Sequence, residues 1–296
     1  MDKAVQMNQH EKLAAELGLD VEVAKSMTVR DMRKMLRQNK RGNCQDSSQC
    51  GSQESRDLFS FNIDCKPKTA SQVRYLDSIK SNTLSIGIGS AGTGKTHIPT
   101  AYALECLRKR QVDRIICTRP NVQAGEDFGF LPGTIEEKYF PYMKPIIEIM
   151  SGFLPEKVIM SLIKEGKLVG MPVNFLRGNN FHNSFVLLDE GQNLTPKQAE
   201  LILSRVGENS KVVINGDYYQ CDIEADLVRD KQKPGLIDVL NMTRGMKSIG
   251  VTVFDEADIV RGEFAKEIIL RYNKRARKEN SFVQLYDKVI KYYEMK

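Results

Sequence analysis

Three short stretches of this chain carry polar residues at spacings that suit chemistry better than packing: GSAGTGKT at residues 89–96, DEGQN at 189–193 and GDYYQCD at 216–222. The first satisfies the pattern GxxxxGK[ST], with an apolar strand-like run before it and a helix-like stretch after it, which is the context the pattern requires. Gly89, Ser90, Ala91, Gly92, Thr93 and Gly94 make a loop of small residues whose backbone N–H groups can converge on an anion. The N-terminus of the following helix adds a favourable dipole. Lys95 supplies the charge that neutralises β- and γ-phosphates, and Thr96 supplies a hydroxyl for Mg²⁺. A glycine-rich turn with an accidental lysine is the plain alternative, and the flanking strand and helix argue against it. The expectation is a nucleoside triphosphate site with ATP and Mg²⁺ as cofactors.

A carboxylate at the end of a buried strand is costly to desolvate unless a cation meets it. Asp189, which closes the run FVLLD, is therefore read as the second Mg²⁺ ligand beside Thr96. Glu190 stands one residue further, already past the sheet, where it can orient or deprotonate an attacking water. The run VVINGDYYQCDI raises a separate question, because a turn needs neither Asp217 nor Gln220. In P-loop ATPases that activate water with a glutamate, a further strand separates the phosphate-loop strand from the Mg²⁺ strand. If residues 211–215 are that strand, Gln220 points at the γ-phosphate, and its amide can bond phosphate and water alike and so report which nucleotide is bound.

These groups must be held by a scaffold, and the chain alternates short apolar runs with helix-length stretches. The runs are TLSIGIG (83–89), RIICTR (114–119), MPVNFL (171–176), SFVLLDE (184–190), KVVINGD (211–217) and IGVTVFD (249–255). Strands this apolar, separated by helices, predict an α/β fold with a parallel sheet covered on both faces. Ligands of such sheets bind beyond the carboxyl ends of the strands, where Gly89, Arg119, Asp189 and Asp217 all fall.

The chain has 296 residues, 41% of them apolar, enough to bury a sizeable core. No apolar run approaches a membrane span and the first residues lack a signal-peptide core, so the expectation is a cytoplasmic protein with no membrane contact. The six cysteines show neither CxxC pairs nor metal-ligand spacing and are read as reduced thiols. A net charge of +6 permits contact with polyanions. Residues 10–40 carry apolar positions at helical spacing, with Thr28 and Asp31 resembling a capping box. The stretch 37–57 is polar and rich in Ser and Gln, as a flexible linker is.

Beyond these motifs the chain resembles the PhoH-like P-loop ATPases, whose core is related to the ATPase half of superfamily 1 helicases. The resemblance rests on KTASQVRYLDSI (68–79), TRPNVQAGEDFGFLPGTIEEKYFPYMKP (118–145), RGNNFHNSFVLLDEGQNLTPKQ (177–198), INGDYYQCDI (214–223) and GLIDVLNMTRGMKSIGVTVFDEADIVRGEF (235–264). Gly191 stands where the family usually has Ala, and Gly262 where it has His. The resemblance covers about residues 66–275 and implies a RecA-like P-loop NTPase, assigned to residues 61–296, while periodicity and composition set a helical extension (1–40) and a flexible linker (41–60) before it. It makes Gln72 a candidate reader of adenine and Arg261 a candidate arginine finger, with Arg205 as the substitute. It also turns Arg119 toward a nucleic-acid backbone. Only 35 residues follow Arg261, too few for a second RecA-like domain, so the expectation is that copies complete each other in a homo-oligomer such as a hexameric ring, or that ATP drives a switch on a partner. Single-stranded RNA or another nucleic acid is the expected partner, with the basic tail RYNKRARKEN (271–280) available to it. The alternative is an adaptor for a partner nuclease, since the first 60 residues are too few for a nuclease domain.

Overall fold

The computed structural model of the chain describes residues 61–120, 135–178 and 180–294. The helices expected over 10–40, the linker over 41–60 and the stretch NVQAGEDFGFLPGT at 121–134 lie outside the described residues. Runs of Ile, Val and Leu form β1 (Leu84–Ile88), β2 (Arg114–Thr118), β3 (Leu168–Gly170), β4 (Ser184–Leu188), β5 (Lys211–Gly216) and β6 (Ile249–Val253). They pair in parallel in the order β3-β2-β4-β5-β1-β6. This is the α/β, RecA-like arrangement, with β5 between β1 and β4.

Strand alternation divides the apolar side chains between two cores. Ile115, Cys117, Phe185, Leu187 and Val213 face one side of the sheet, where α1 (Ala70–Ser81), α2 (His97–Arg108), α3 (Ile135–Ser151) and α4 (Glu156–Lys164) cover them. Ile116, Val186, Leu188, Val212 and Ile214 face the other, beneath α5 (Pro196–Leu203), α6 (Glu224–Arg229) and α7 (Gly235–Met242). Past β6, α8 (Glu263–Glu279) leads into α9 (Ser281–Glu294), which packs on that second side. Each fully buried aliphatic side chain contributes about 1.5–3 kcal/mol, so the two cores supply most of the force that sets the strand order. Within the first core, Tyr75 of α1 donates its hydroxyl to Asn215 Oδ1 of β5 at 2.6 Å. Lys211 donates to the carbonyls of Ile79, Lys80 and Asn82, closing the C-terminus of α1.

One expected strand is corrected. MPVNFL forms a 3₁₀ turn over Val173–Leu176, and the edge strand is the three-residue β3 just before it. Pro172 has no N–H for a ladder, and Val173 and Leu176, three apart, both reach the core as 3₁₀ spacing requires. Cys65, Cys106, Cys117 and Cys221 are free thiols. Among the described residues no helix is long and apolar enough to cross a membrane.

Candidate nucleotide-binding site

Beyond Ile88 the chain leaves β1 with Gly89 N–H bonded to Gly216 O at 3.1 Å, then turns through Gly92 (φ 81°) and Gly94 (φ 86°) into α2. Positive φ at both points suits glycine, and a Cβ on Gly94 would stand 2.6 Å from Gln72 Nε2. Gln72 is buried beneath the loop. Its Nε2 donates to Thr93 O at 2.9 Å and its Oε1 accepts the Lys68 N–H at 2.7 Å, so both ends of the amide are bound to backbone. It braces the loop here, and reading an adenine edge requires it to exchange these bonds. Lys95 Nζ rests on Ser90 O at 2.9 Å, and the Thr93 hydroxyl shares that carbonyl at 3.0 Å. Thr96, at the head of α2, donates its hydroxyl to Asp189 Oδ1 at 3.0 Å across 93 residues of sequence.

Asp189 is half-buried just past the end of β4. Burial, with the charge of Glu190, pushes its carboxyl above the ordinary range, while the Thr96 hydroxyl, Lys95 and Arg119 draw it back. A half-buried carboxylate 3.0 Å from a hydroxyl, at the root of an anion-binding loop, is a hard oxygen pair of the kind that holds Mg²⁺ with phosphates and waters completing its shell. Thr96 and Asp189 therefore fit that ion.

Glu190 has a left-handed backbone, φ 57° and ψ 41°, a costly conformation for a non-glycine residue that concentrates at functional sites. Its Oε1 accepts from Arg119 Nη2 at 2.7 Å and its Oε2 from Gln192 Nε2 at 2.6 Å. Gln192 is fully buried, takes the Asp217 N–H on its own Oε1 at 2.9 Å, and donates to Gln220 O at 3.0 Å. Asn193 and Asp222 exchange two further bonds of 2.8 Å. The loops after β4 and β5 are thus fastened together. The Gln220 amide donates to Asp217 Oδ2 at 2.9 Å, and Asp217 itself, 4% exposed, also accepts from Tyr219 and from Ala91 in the phosphate loop. Burial raises the Asp217 carboxyl and Lys95 lowers it. The Asp and Gln at this strand end tie its loop to the phosphate loop, and Gln220 reaches a phosphate only by leaving Asp217.

Arg261 lies against the loop of its own chain: a Cβ on Gly92 would meet Arg261 Cγ at 2.7 Å, and Val260 N–H bonds Gly92 O at 3.0 Å. Arg205 is elsewhere, at the amino ends of the strands, where its carbonyl accepts the Phe181 N–H just before β4. A cleft of about 320 Å³ runs along the loop, lined by Lys66, Lys68, Lys95 and Arg261 with His97 and Ile149. Its volume is that of a small-molecule site and its cations suit a polyphosphate. Sequence reasoning missed Gln192, Asn193 and the tethering role of Asp217. Gln192 and Asn193 are visible in DEGQN, but nothing local links them to partners 25–29 residues away.

The PhoH-like protein family pattern matches residues 64–273, most of the chain. The chain belongs to the PhoH-like family. The pattern of an IstB-like ATP binding protein also matches residues 1–119. A PhoH-like protein of Mycobacterium tuberculosis is 38% identical over 207 residues, covering 70% of this chain and 57% of the relative. One from Bacillus subtilis is 36% identical over 208 residues, 70% of this chain and 64% of its own length. Protein PhoH of Escherichia coli is 38% identical over 208 residues, 70% and 57% respectively. The chain thus spans less than two thirds of the length of these relatives. As a PhoH-like protein it is a P-loop ATP-binding protein, and the matched region takes in Gln72, the phosphate loop, Asp189, Glu190, Gln220 and Arg261.

Proposed function

We propose that this PhoH-like protein hydrolyses ATP with Mg²⁺ and acts on single-stranded RNA in a helicase-like manner. The observation that carries the hydrolytic reading is the Thr96–Asp189 bond of 3.0 Å at the root of the loop, with the Glu190 carboxylate one residue further on. Lys95 leaves Ser90 O for the β- and γ-phosphates, and the loop N–H groups neutralise the rest of their charge. Thr96 and Asp189 would hold Mg²⁺, which when bound stabilises charge on the phosphate oxygens. Glu190 takes a proton from water as the water oxygen bonds to the γ-phosphorus and the bond to the ADP oxygen breaks. Gln220 orients that water, and Arg261 meets the developing charge from within the same chain.

Glu190→Gln is expected to bind ATP normally and to hydrolyse it roughly 10²-fold more slowly, measured as phosphate release beside nucleotide affinity. Loss of nucleotide binding would instead give Glu190 the role assigned to Asp189.

The RNA reading is supported by α8 and the loop beside it. Arg277 donates to the Tyr219 hydroxyl at 2.6 Å, next to Gln220, and the Arg275 guanidinium lies 4.8 Å from the ring of exposed Tyr272. Arginines interleaved with tyrosines suit phosphates and stacked bases together. Affinity for a single-stranded oligoribonucleotide is expected to fall by about 10²-fold or more between roughly 50 and 200 mM salt, read by fluorescence anisotropy. Arg275→Gln with Arg277→Gln should flatten that dependence. A flat response in the unmodified protein favours an ATP-dependent adaptor, for which Phe264, Ile268 and Tyr272 form an exposed apolar stripe on α8. Recording oligomeric mass in the same sample tests the ring.

A further inference from the structure

Both oxygens of the Glu190 carboxylate are committed to protein donors, one to Arg119 and one to Gln192. The two donors are not equivalent. Gln192 is fully buried, and its amide is pinned by Asp217 N–H and Gln220 O, so it leaves Glu190 only if the loops after β4 and β5 come apart. Arg119 stands at the open end of β2 with 33% of its side chain exposed. Its guanidinium carries five N–H donors in a planar fork, a geometry that matches a phosphodiester as well as it matches a carboxylate.

The fold brings this pair together. β2 and β4 are neighbours with Thr118 beside Leu188, so the residues that follow each strand, Arg119 and Glu190, emerge side by side although 71 positions apart. Of the two donors that restrain the hydrolytic carboxylate, Arg119 is thus the one that solvent can reach, since Gln192 is fully buried.

We propose that Arg119 is shared between Glu190 and a backbone phosphate of single-stranded nucleic acid: strand binding draws Arg119 away and frees Glu190 to act on water. This rests on the hydrolytic reading above and adds to it a means of stimulation. A strand competes with Glu190 for one cation, and linkage is reciprocal, so whatever removes the Glu190 charge must tighten strand binding even with no nucleotide present.

The test begins without ATP, with a labelled single-stranded oligouridylate as the probe. Glu190→Gln is expected to bind it about 5-fold more tightly than the unmodified protein, and Arg119→Gln more weakly by a similar factor. In the Arg119→Gln background, Glu190→Gln is expected to add nothing, because the cation the two ligands compete for is gone. A gain from Glu190→Gln that persists in that background is general charge repulsion and overturns the proposal, as does no gain at all. The second arm measures hydrolysis at saturating ATP. Arg119→Gln is expected to turn over about 5-fold faster than the unmodified protein without the strand and to lose stimulation by it, while Arg119→Gln with Glu190→Gln is as slow as Glu190→Gln alone. Arg119→Lys, which keeps a point charge, falls between. If Arg119→Gln slows strand-free turnover, Arg119 positions Glu190 for catalysis and the clamp is wrong. Failure of the hydrolytic reading looks different: turnover would then be indifferent to Lys95→Ala and Glu190→Gln in the unmodified background, with the strand-binding arm still legible.

Discussion

Lys95→Ala is expected to abolish ATP hydrolysis, a loss of about 10³-fold or more, and to weaken ATP binding by about 10–100-fold. Lys95 is the cation inside the phosphate loop itself. Lys66, Lys68 and Arg261 also line the cleft, but they come from outside the loop, and Lys66 is within 3.3 Å of Asp64. The Lys95 ammonium is held by a loop carbonyl, Ser90 O at 2.9 Å, a bond it can exchange for phosphate oxygens. Because, among the described residues, its head group hydrogen-bonds only that carbonyl, removing it should leave the fold intact, as circular dichroism can verify. Phosphate release and displacement of a fluorescent ATP analogue are the two measurements. Turnover near that of the unmodified protein, in a preparation free of other ATPases, would sink the assignment of this loop.

For Arg261→Ala the expectation is nearly normal ATP binding with hydrolysis reduced by about 10³-fold, the low end of what arginine fingers contribute. The geometry favours its own chain's loop as the site it would serve. Val260 is hydrogen-bonded to Gly92, and the Arg261 side chain packs on the same glycine, so the guanidinium is tethered to the loop of its own chain. Mixing Arg261→Ala protein with Lys95→Ala protein is therefore expected to restore nothing, since no subunit in the mixture holds both groups. Recovery of activity with demonstrated subunit exchange would mean that the arginine serves a neighbouring copy. Normal hydrolysis by Arg261→Ala alone would make the residue structural. Arg205 is a poor substitute in cis, because it sits at the opposite ends of the strands.

Features that depend on local order along the chain can be read from the amino-acid sequence. Apolar runs of strand length between helical stretches specify a covered parallel sheet. GSAGTGKT specifies its turn because glycine supplies the positive φ that Gly92 and Gly94 adopt. Asp189 was legible because a carboxylate ending a buried strand demands a partner, and Thr96 meets it at 3.0 Å. The one misplaced strand, MPVNFL, shows where this reasoning thins: six apolar-rich residues suit a strand or a 3₁₀ turn, and Pro172 with the short edge position decided for the turn.

Pairings between residues far apart in sequence depend instead on how the strands and helices assemble. Arg119 reaches Glu190 because β2 and β4 are adjacent in register, and Gln192 joins two loops because β5 follows β4 in the sheet. Gln72 braces the loop because a buried amide takes whichever donors and acceptors the packing brings to it, and the exposed Gln220 folds onto the buried carboxylate of Asp217. Arg261 meets its own Gly92 because β6 pairs beside β1 and returns the chain to the loop. Strand order is a property of the whole core, set by which faces bury most apolar surface, and no short window of sequence contains it.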